Sequence, residues 1–211
     1  METLIQNWPN LLLAFSIMSV GMFSPGPNIL AVMGTSMSAG RASGSSLALG
    51  IGIGSGLWAF LTVLGFSALI AQFAYALTAL KLFGAAYLLY LAYKAFKSAA
   101  TTKEIAAIEA EATSRKTLFL RGLTIQMTNP KAALAWIATV ALGIGPEAPF
   151  IVCVALIVGA LVISIGGHML YATLFSTQAV VRTYARIRRG IDATLGLFFC
   201  FASFKLLTTR T

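Results

Sequence analysis

The chain has 211 residues, 58% of them hydrophobic and only 10% charged, where ordinary soluble domains carry about 25% charge. No polar stretch is long enough to build a soluble core, and the mean hydropathy of +0.87 points to a polytopic membrane protein. The formal net charge of +9 does not call for nucleic acid, because the basic residues fall between apolar segments, where such charges set membrane topology.

Met1 to Asn10 contains Glu2 but no lysine or arginine. It lacks the basic region and small-residue cleavage site of a secretory signal, so the first apolar segment is expected to be retained. A bilayer span takes about 20 apolar residues. Segments near 8–37, 47–72, 78–96, 118–142, 150–175 and 190–207 meet that requirement. The expected fold class is therefore an all-α polytopic membrane protein with six transmembrane helices, forming a single transmembrane domain over 1–211. Residues 97–117 read as a loop, with a short helix through Lys103–Glu109.

The first segment is interrupted at Ser24-Pro25-Gly26-Pro27-Asn28. Two prolines flanking a glycine cannot continue a helix, since each removes an amide donor and clashes with the preceding turn. Lipid cannot satisfy the freed backbone groups, so protein or a water-lined cavity must do so. Broken helices at membrane depth are where transporters bind substrate and coupling ions.

The second segment carries Gly50, Gly52, Gly54 and Gly56. Gly50/Gly54 and Gly52/Gly56 form two small-xxx-small pairs on neighbouring faces, suited to close helix packing. If the face serves function as well, it abuts the broken first segment. The fourth segment repeats the interruption at Thr128-Asn129-Pro130-Lys131, and Pro130 lies 103 positions after Pro27. The same offset maps segment two onto five and three onto six. Three spans separate the equivalents, an odd number, so the spacing predicts two inverted three-helix repeats (about 8–96 and 118–207) with helices 1 and 4 interrupted at proline motifs.

Lys131 is the only lysine or arginine deep in a span, roughly 15 Å of helix from either end of its segment, too far for its stem to reach an interface. His168 in the fifth segment and Asp192 at the start of the sixth are, with Lys131, the proton-coupling candidates. No carboxylate sits mid-membrane. Trp8, Trp58 and Trp136 read as interface anchors or packing. Cys153 and Cys200 fall in apolar spans as small packing residues. With one histidine they form no ligand cluster, so neither metal nor cofactor is expected.

With six spans, eleven lysines and arginines, among them Arg41, Lys94, Arg115 and Arg188, fall on one side, against Lys81, Lys205 and Arg210 on the other. The positive-inside rule makes the first side cytoplasmic. Loop 97–117 is then cytoplasmic and both termini are periplasmic or extracellular.

Ser24–Asn28, followed by Gly40-Arg41-Ala42-Ser43-Gly44, Gly50 and Gly54, Gly84-Ala85-Ala86-Tyr87-Leu88-Leu89-Tyr90-Leu91 and Asn129-Pro130-Lys131-Ala132-Ala133-Leu134, resembles the LysE/RhtB family of amino-acid exporters over about residues 10–207. The resemblance implies six helices in a bacterial inner membrane. It also implies efflux of amino acids or close derivatives, such as lysine, threonine, homoserine, cysteine or leucine, driven by the proton-motive force. The chain departs from the family where Ala135-Trp136-Ile137 replaces a phenylalanine-rich run, at Gly145-Pro146-Glu147, and at Ala92.

The expected partners are a small-molecule amino acid, the proton and the lipid bilayer, with no nucleic acid. A homodimer is compatible with the glycine face. Ser24, Pro25, Gly26, Pro27, Asn28, Asn129, Pro130 and Lys131 are the expected substrate-binding residues. The half-helix beginning at Pro27-Asn28 presents a positive dipole end, which with Lys131 suits a carboxylate. Asn28 and Asn129, with the freed carbonyls, suit the ammonium. The competing readings are a passive channel, a membrane interaction scaffold, and an intramembrane serine protease built on Ser55 and His168. A transporter, not an enzyme, is the expectation.

Overall fold

A computed structural model of the chain describes residues 2–23, 26–72, 76–101, 113–143 and 148–208. Ser24, Pro25, the expected short helix at 103–109 and the turn Gly145-Pro146-Glu147 lie outside the described residues. Among those described there are eight helices and no strand: α1 (Glu2–Gln6), α2 (Trp8–Phe23), α3 (Pro27–Gln72), α4 (Ala76–Ala100), α5 (Arg115–Met127), α6 (Pro130–Gly143), α7 (Phe150–Leu174) and α8 (Gln178–Thr208).

Both proline motifs separate helices. The first falls between α2 and α3. The second falls between α5, which ends at Met127 with Thr128 as C-cap, and α6, which starts at Pro130. Within α3 the helical geometry is lost at Gly40, whose φ of 80° and ψ of 173° put it in a region that residues with a side chain rarely enter. The chain turns back there. A Cβ on Gly44 would sit 1.9 Å from Ser36 Oγ, so limbs 27–39 and 41–72 form a helical hairpin. Its inner face is Ile29, Val32 and Met33 against Leu47, Ala48 and Ile51.

Pro27–Gly65, most of it in the limb after the turn at Gly40, and Phe150–Leu174 are the described helical stretches long and apolar enough to cross a membrane, while Trp8–Met22 and Lys131–Val140 are shorter apolar helices. The shorter two are halves of interrupted segments, which is why neither reaches spanning length alone. The outside of the bundle is apolar, with Leu64, Phe150, Leu197 and Phe201 each more than half exposed, as a lipid-facing surface requires.

α3 packs on α5 and α7, α4 on α8, and α2 on α6. Glycine sets the closest of these approaches. A Cβ on Gly50 would lie 2.0 Å from the Phe119 carbonyl oxygen, and one on Gly122 would lie 2.1 Å from that of Leu47. The α3 and α5 backbones therefore touch at a reciprocal pair of glycines. Gly52 and Gly56 face Ile165 and Leu161 of α7, and Gly54 faces Gln126 of α5. The glycine face thus meets α5 and α7 rather than the first interrupted segment, a correction to the sequence reading. Periodic glycines announce that a backbone comes near, without saying which one.

A second correction concerns the last helix, which begins at Gln178 rather than near 190. The apolar run starts late because Arg182, Arg186, Arg188 and Arg189 occupy the first turns, yet arginine is a good helix former. Arg188 Nη2 donates to Ser98 Oγ at 2.9 Å and Arg189 Nε to the Ala99 carbonyl at 2.8 Å. Together they hold the C-terminal end of α4, where carbonyls lack intrahelical partners.

Gly50→Ala places a methyl group inside van der Waals contact with a rigid carbonyl and forces α3 and α5 apart. Overpacking of this kind costs about 1–3 kcal/mol or more. A clear fall in melting temperature in detergent is expected for Gly50→Ala. No fall is expected for Gly65→Ala on the same helix, where a Cβ meets nothing within 4 Å.

Candidate functional site

Proline at 130 has no amide to offer the carbonyl four residues back, which belongs to Gln126. Trp58 of α3 supplies the missing donor, its Nε1 lying 3.1 Å from the Gln126 carbonyl oxygen. The amide of Asn129 reaches the same oxygen at 3.4 Å. On the far side of the break, Asn129 Oδ1 accepts the Lys131 amide at 3.0 Å and caps α6. The Lys131 carbonyl accepts the Tyr87 hydroxyl of α4 at 2.7 Å. The second break is thus held from both flanks by α3 and α4.

The two breaks meet through side-chain amides. Asn129 Nδ2 donates to Asn28 Oδ1 at 2.9 Å, and Asn28 Nδ2 donates to Gln126 Oε1. Gln126 and Asn129 are buried. This Gln126–Asn28–Asn129 relay fixes all three amide orientations and ties the first turn of α3 to both sides of the second interruption.

A cavity of about 70 Å³ lies beside the relay, large enough for a few waters. Gly26, Asn28, Asn129 and Lys131 line it together with Ser55 and His168. Gly26 makes room for the lysine, since a Cβ there would stand 3.1 Å from Lys131 Nζ. The structure therefore brings Gly26, Asn28, Asn129 and Lys131 to one place, while Ser24 and Pro25 lie outside the described residues.

Of the remaining sequence candidates, His168 lines the cavity and is buried. Its Nδ1 donates to the Ser164 carbonyl at 2.8 Å, since a carbonyl only accepts. Ser55 accepts a hydrogen bond from Trp136 Nε1 at 3.2 Å. No hydrogen bond joins Ser55 to His168, so the two do not form a nucleophile–base dyad. Asp192 sits elsewhere, fully buried and paired with Arg188 at 3.5 Å, with neither carboxylate oxygen hydrogen-bonded among the described residues.

Sequence reasoning missed Gln126, and it read Trp58 and Trp136 as anchors or packing when both cross-link helices at the site. The signal for Gln126 is its place four residues before Pro130, where a freed carbonyl must find a donor.

The model of one protein family, described as LysE type translocator, matches residues 19–210. The chain belongs to the LysE family. Among curated relatives it is similar to the threonine efflux protein of Escherichia coli (strain K12), 26% identical over 90% of this chain and 94% of the relative. It is also similar to the leucine efflux protein of Salmonella typhimurium (strain LT2), 29% identical over 89% of each, and to the uncharacterized membrane protein YahN of Escherichia coli (strain K12), 25% identical over 92% and 87%. No solved structure matches it significantly. Family membership and the apolar helical bundle together make this LysE-family chain a multi-pass membrane protein.

Replacing Asn28 or Gln126 by a residue without an amide leaves a buried polar partner unmatched, at about 1–3 kcal/mol. Asn28→Ala and Gln126→Leu are each expected to lower thermal stability in detergent. In the double variant the losses should fail to add by at least about 0.5 kcal/mol. Strict additivity would show that the relay is not an energetic unit.

Proposed function

We propose that this protein is a secondary transporter that exports amino acids or close derivatives, using the cavity between the two proline breaks as its substrate site. One observation carries the reading. A lysine, two helix N-termini and three side-chain amides converge where both interrupted segments meet.

In this reading Lys131 and the N-terminal turn of α3, where Asn28 and Ile29 line the cavity, hold the substrate carboxylate. A helix N-terminus favours an anion, and a lysine in a poorly solvated site holds one strongly. The amide oxygens of the relay and the backbone carbonyls at the breaks receive the ammonium group. The named efflux activities of the threonine and leucine relatives support the substrate class.

The same proposal counts six spans in two inverted repeats, with limb 27–39 answering to α6, limb 41–72 to α7, and α4 to α8. The packing supports it. α3 pairs with α7 and α4 with α8, and the interrupted segments embrace through α2–α6 and α3–α5. Equivalents therefore lie beside or across from one another, as a pseudo-two-fold axis in the membrane plane demands. The excess of basic residues on the 97–117 side supports a cytoplasmic placement for that loop and outward termini. Exchange of substrate for a proton would use Lys131, His168 or Asp192, in the inner membrane of a bacterium.

Purified protein in vesicles loaded with unlabelled threonine or leucine is expected to accumulate the labelled amino acid by counterflow. Lys131→Ala should reduce that accumulation at least about tenfold, the equivalent of about 1.4 kcal/mol of lost interaction. Intact counterflow with an unchanged pH profile in Lys131→Ala would remove the lysine from the site. Absence of counterflow by the wild-type protein for every amino acid tried would remove the transport reading itself.

A further inference from the structure

A second cavity, of about 560 Å³, lies between α4 and α6 and shares Gly26, Asn129 and Lys131 with the central one. Its α4 wall is Tyr87, Tyr90, Leu91 and Lys94, spaced i, i+3, i+4 and i+7, so the four lie along one helix face. Tyr87 is fixed by its bond to the Lys131 carbonyl. Lys94 is exposed, with its ammonium group 5.5 Å from the centre of the Tyr90 ring. The cavity thus has one lysine at its outer end and another at the wall it shares with the central site. None of its lining residues is acidic, and Phe83, Leu91 and Leu134 supply apolar walls.

We propose that this space is an anion-selecting vestibule in which Lys94 and Lys131 attract a carboxylate-bearing ligand and pass it to the central cavity. Two like charges at the ends of an apolar-walled cleft focus a positive potential within it, raising the local concentration of anions and repelling amines without a carboxylate. The exposed Lys94 meets the ligand first. Lys131 belongs to both cavities, so the carboxylate moves from one ammonium to the next without crossing an uncompensated apolar stretch. The ligand class is a small molecule with a free carboxylate. That it is an amino acid rests on the reading given above, whereas the anion preference does not.

The test places a reactive thiol between the two lysines. Tyr90→Cys, in a Cys153→Ala/Cys200→Ala background, is reconstituted in phosphatidylcholine vesicles free of anionic lipid. It is then labelled with an anionic and a cationic methanethiosulfonate. Asn10→Cys, a polar exposed position near the start of α2 and outside this cavity, serves as the reference.

The anionic-to-cationic rate ratio is expected to be about fivefold or more higher at position 90 than at the reference. It should fall toward the reference value in Lys94→Gln, which alters only an exposed side chain and keeps the test valid should Lys131→Gln fail to fold. Acetate, threonine and leucine should slow the labelling, and the amides of the two amino acids should not. Equal ratios at the two positions, or a ratio unmoved by Lys94→Gln, overturn the vestibule. Protection by acetate without protection by threonine or leucine supports the vestibule and counts against the amino-acid reading instead.

Discussion

Proline 130 leaves one backbone carbonyl, that of Gln126, without its helical partner, and most of the site follows from how that oxygen is satisfied. In hydrocarbon an unpaired carbonyl costs several kcal/mol, whereas a protein hydrogen bond returns a net of about 0.5–1.5 kcal/mol in ordinary surroundings. The penalty for leaving the oxygen bare therefore exceeds the gain from any one contact, and the fold must bring a donor to it. The Asn129 amide reaches it only at 3.4 Å, and Trp58, at 3.1 Å, is the donor that comes from another helix. To reach Gln126, α3 must lie close against α5, and only glycine permits the approach: Gly54 against the Gln126 side chain, and Gly50 and Gly122 against opposing carbonyls. The donor for Gln126 and the glycines of α3 that face α5 thus belong to one contact.

The same contact places the first break. Once α3 is seated on α5, its opposite end brings Asn28 to Gln126 and Asn129. The two interruptions share hydrogen-bonding groups instead of being solvated separately. Sharing keeps the polar groups few and the surrounding volume small, so the charge of Lys131 acts over short distances in a medium poor in water. Polar residues that would be liabilities on a lipid face are satisfied here because they complete one another.

Much of this was legible in the sequence, and the unread remainder has a physical cause. Proline and glycine act through local backbone geometry, so the breaks at 24–28 and 128–131 could be read from residue type alone, as could the close approach of some helix to the segment near Gly50. Which helix approaches is a tertiary fact: the stripe packs closely as its spacing suggests, but against α5 and α7 and not, as its functional version had it, against the first interrupted segment. Gln126 was invisible because a single glutamine in a mixed helix carries no periodicity. Its role depends on Pro130 four residues on and on Asn28 from a distant part of the chain. The start of α8 was misplaced because polarity marks where a helix leaves the apolar phase and says little about where it begins.

The two cavities differ in size in a way that constrains any passage between them. About 70 Å³ beside the relay holds a few waters, while about 560 Å³ lies between α4 and α6. Any widening of the smaller space has to come from its walls. The walls do not resist equally. On the α5 side, backbone meets backbone at glycines, and closely packed interiors of that kind do not deform gradually. On the α4 side, the Tyr87 hydroxyl crosses to a single carbonyl. α4 packs chiefly on α8, less on α6 and only slightly on α3, and the arginines of α8 bind its end. The α4 side is therefore held by fewer close backbone approaches than the α5 side, and Lys131, which lines both cavities, stands where the two spaces meet.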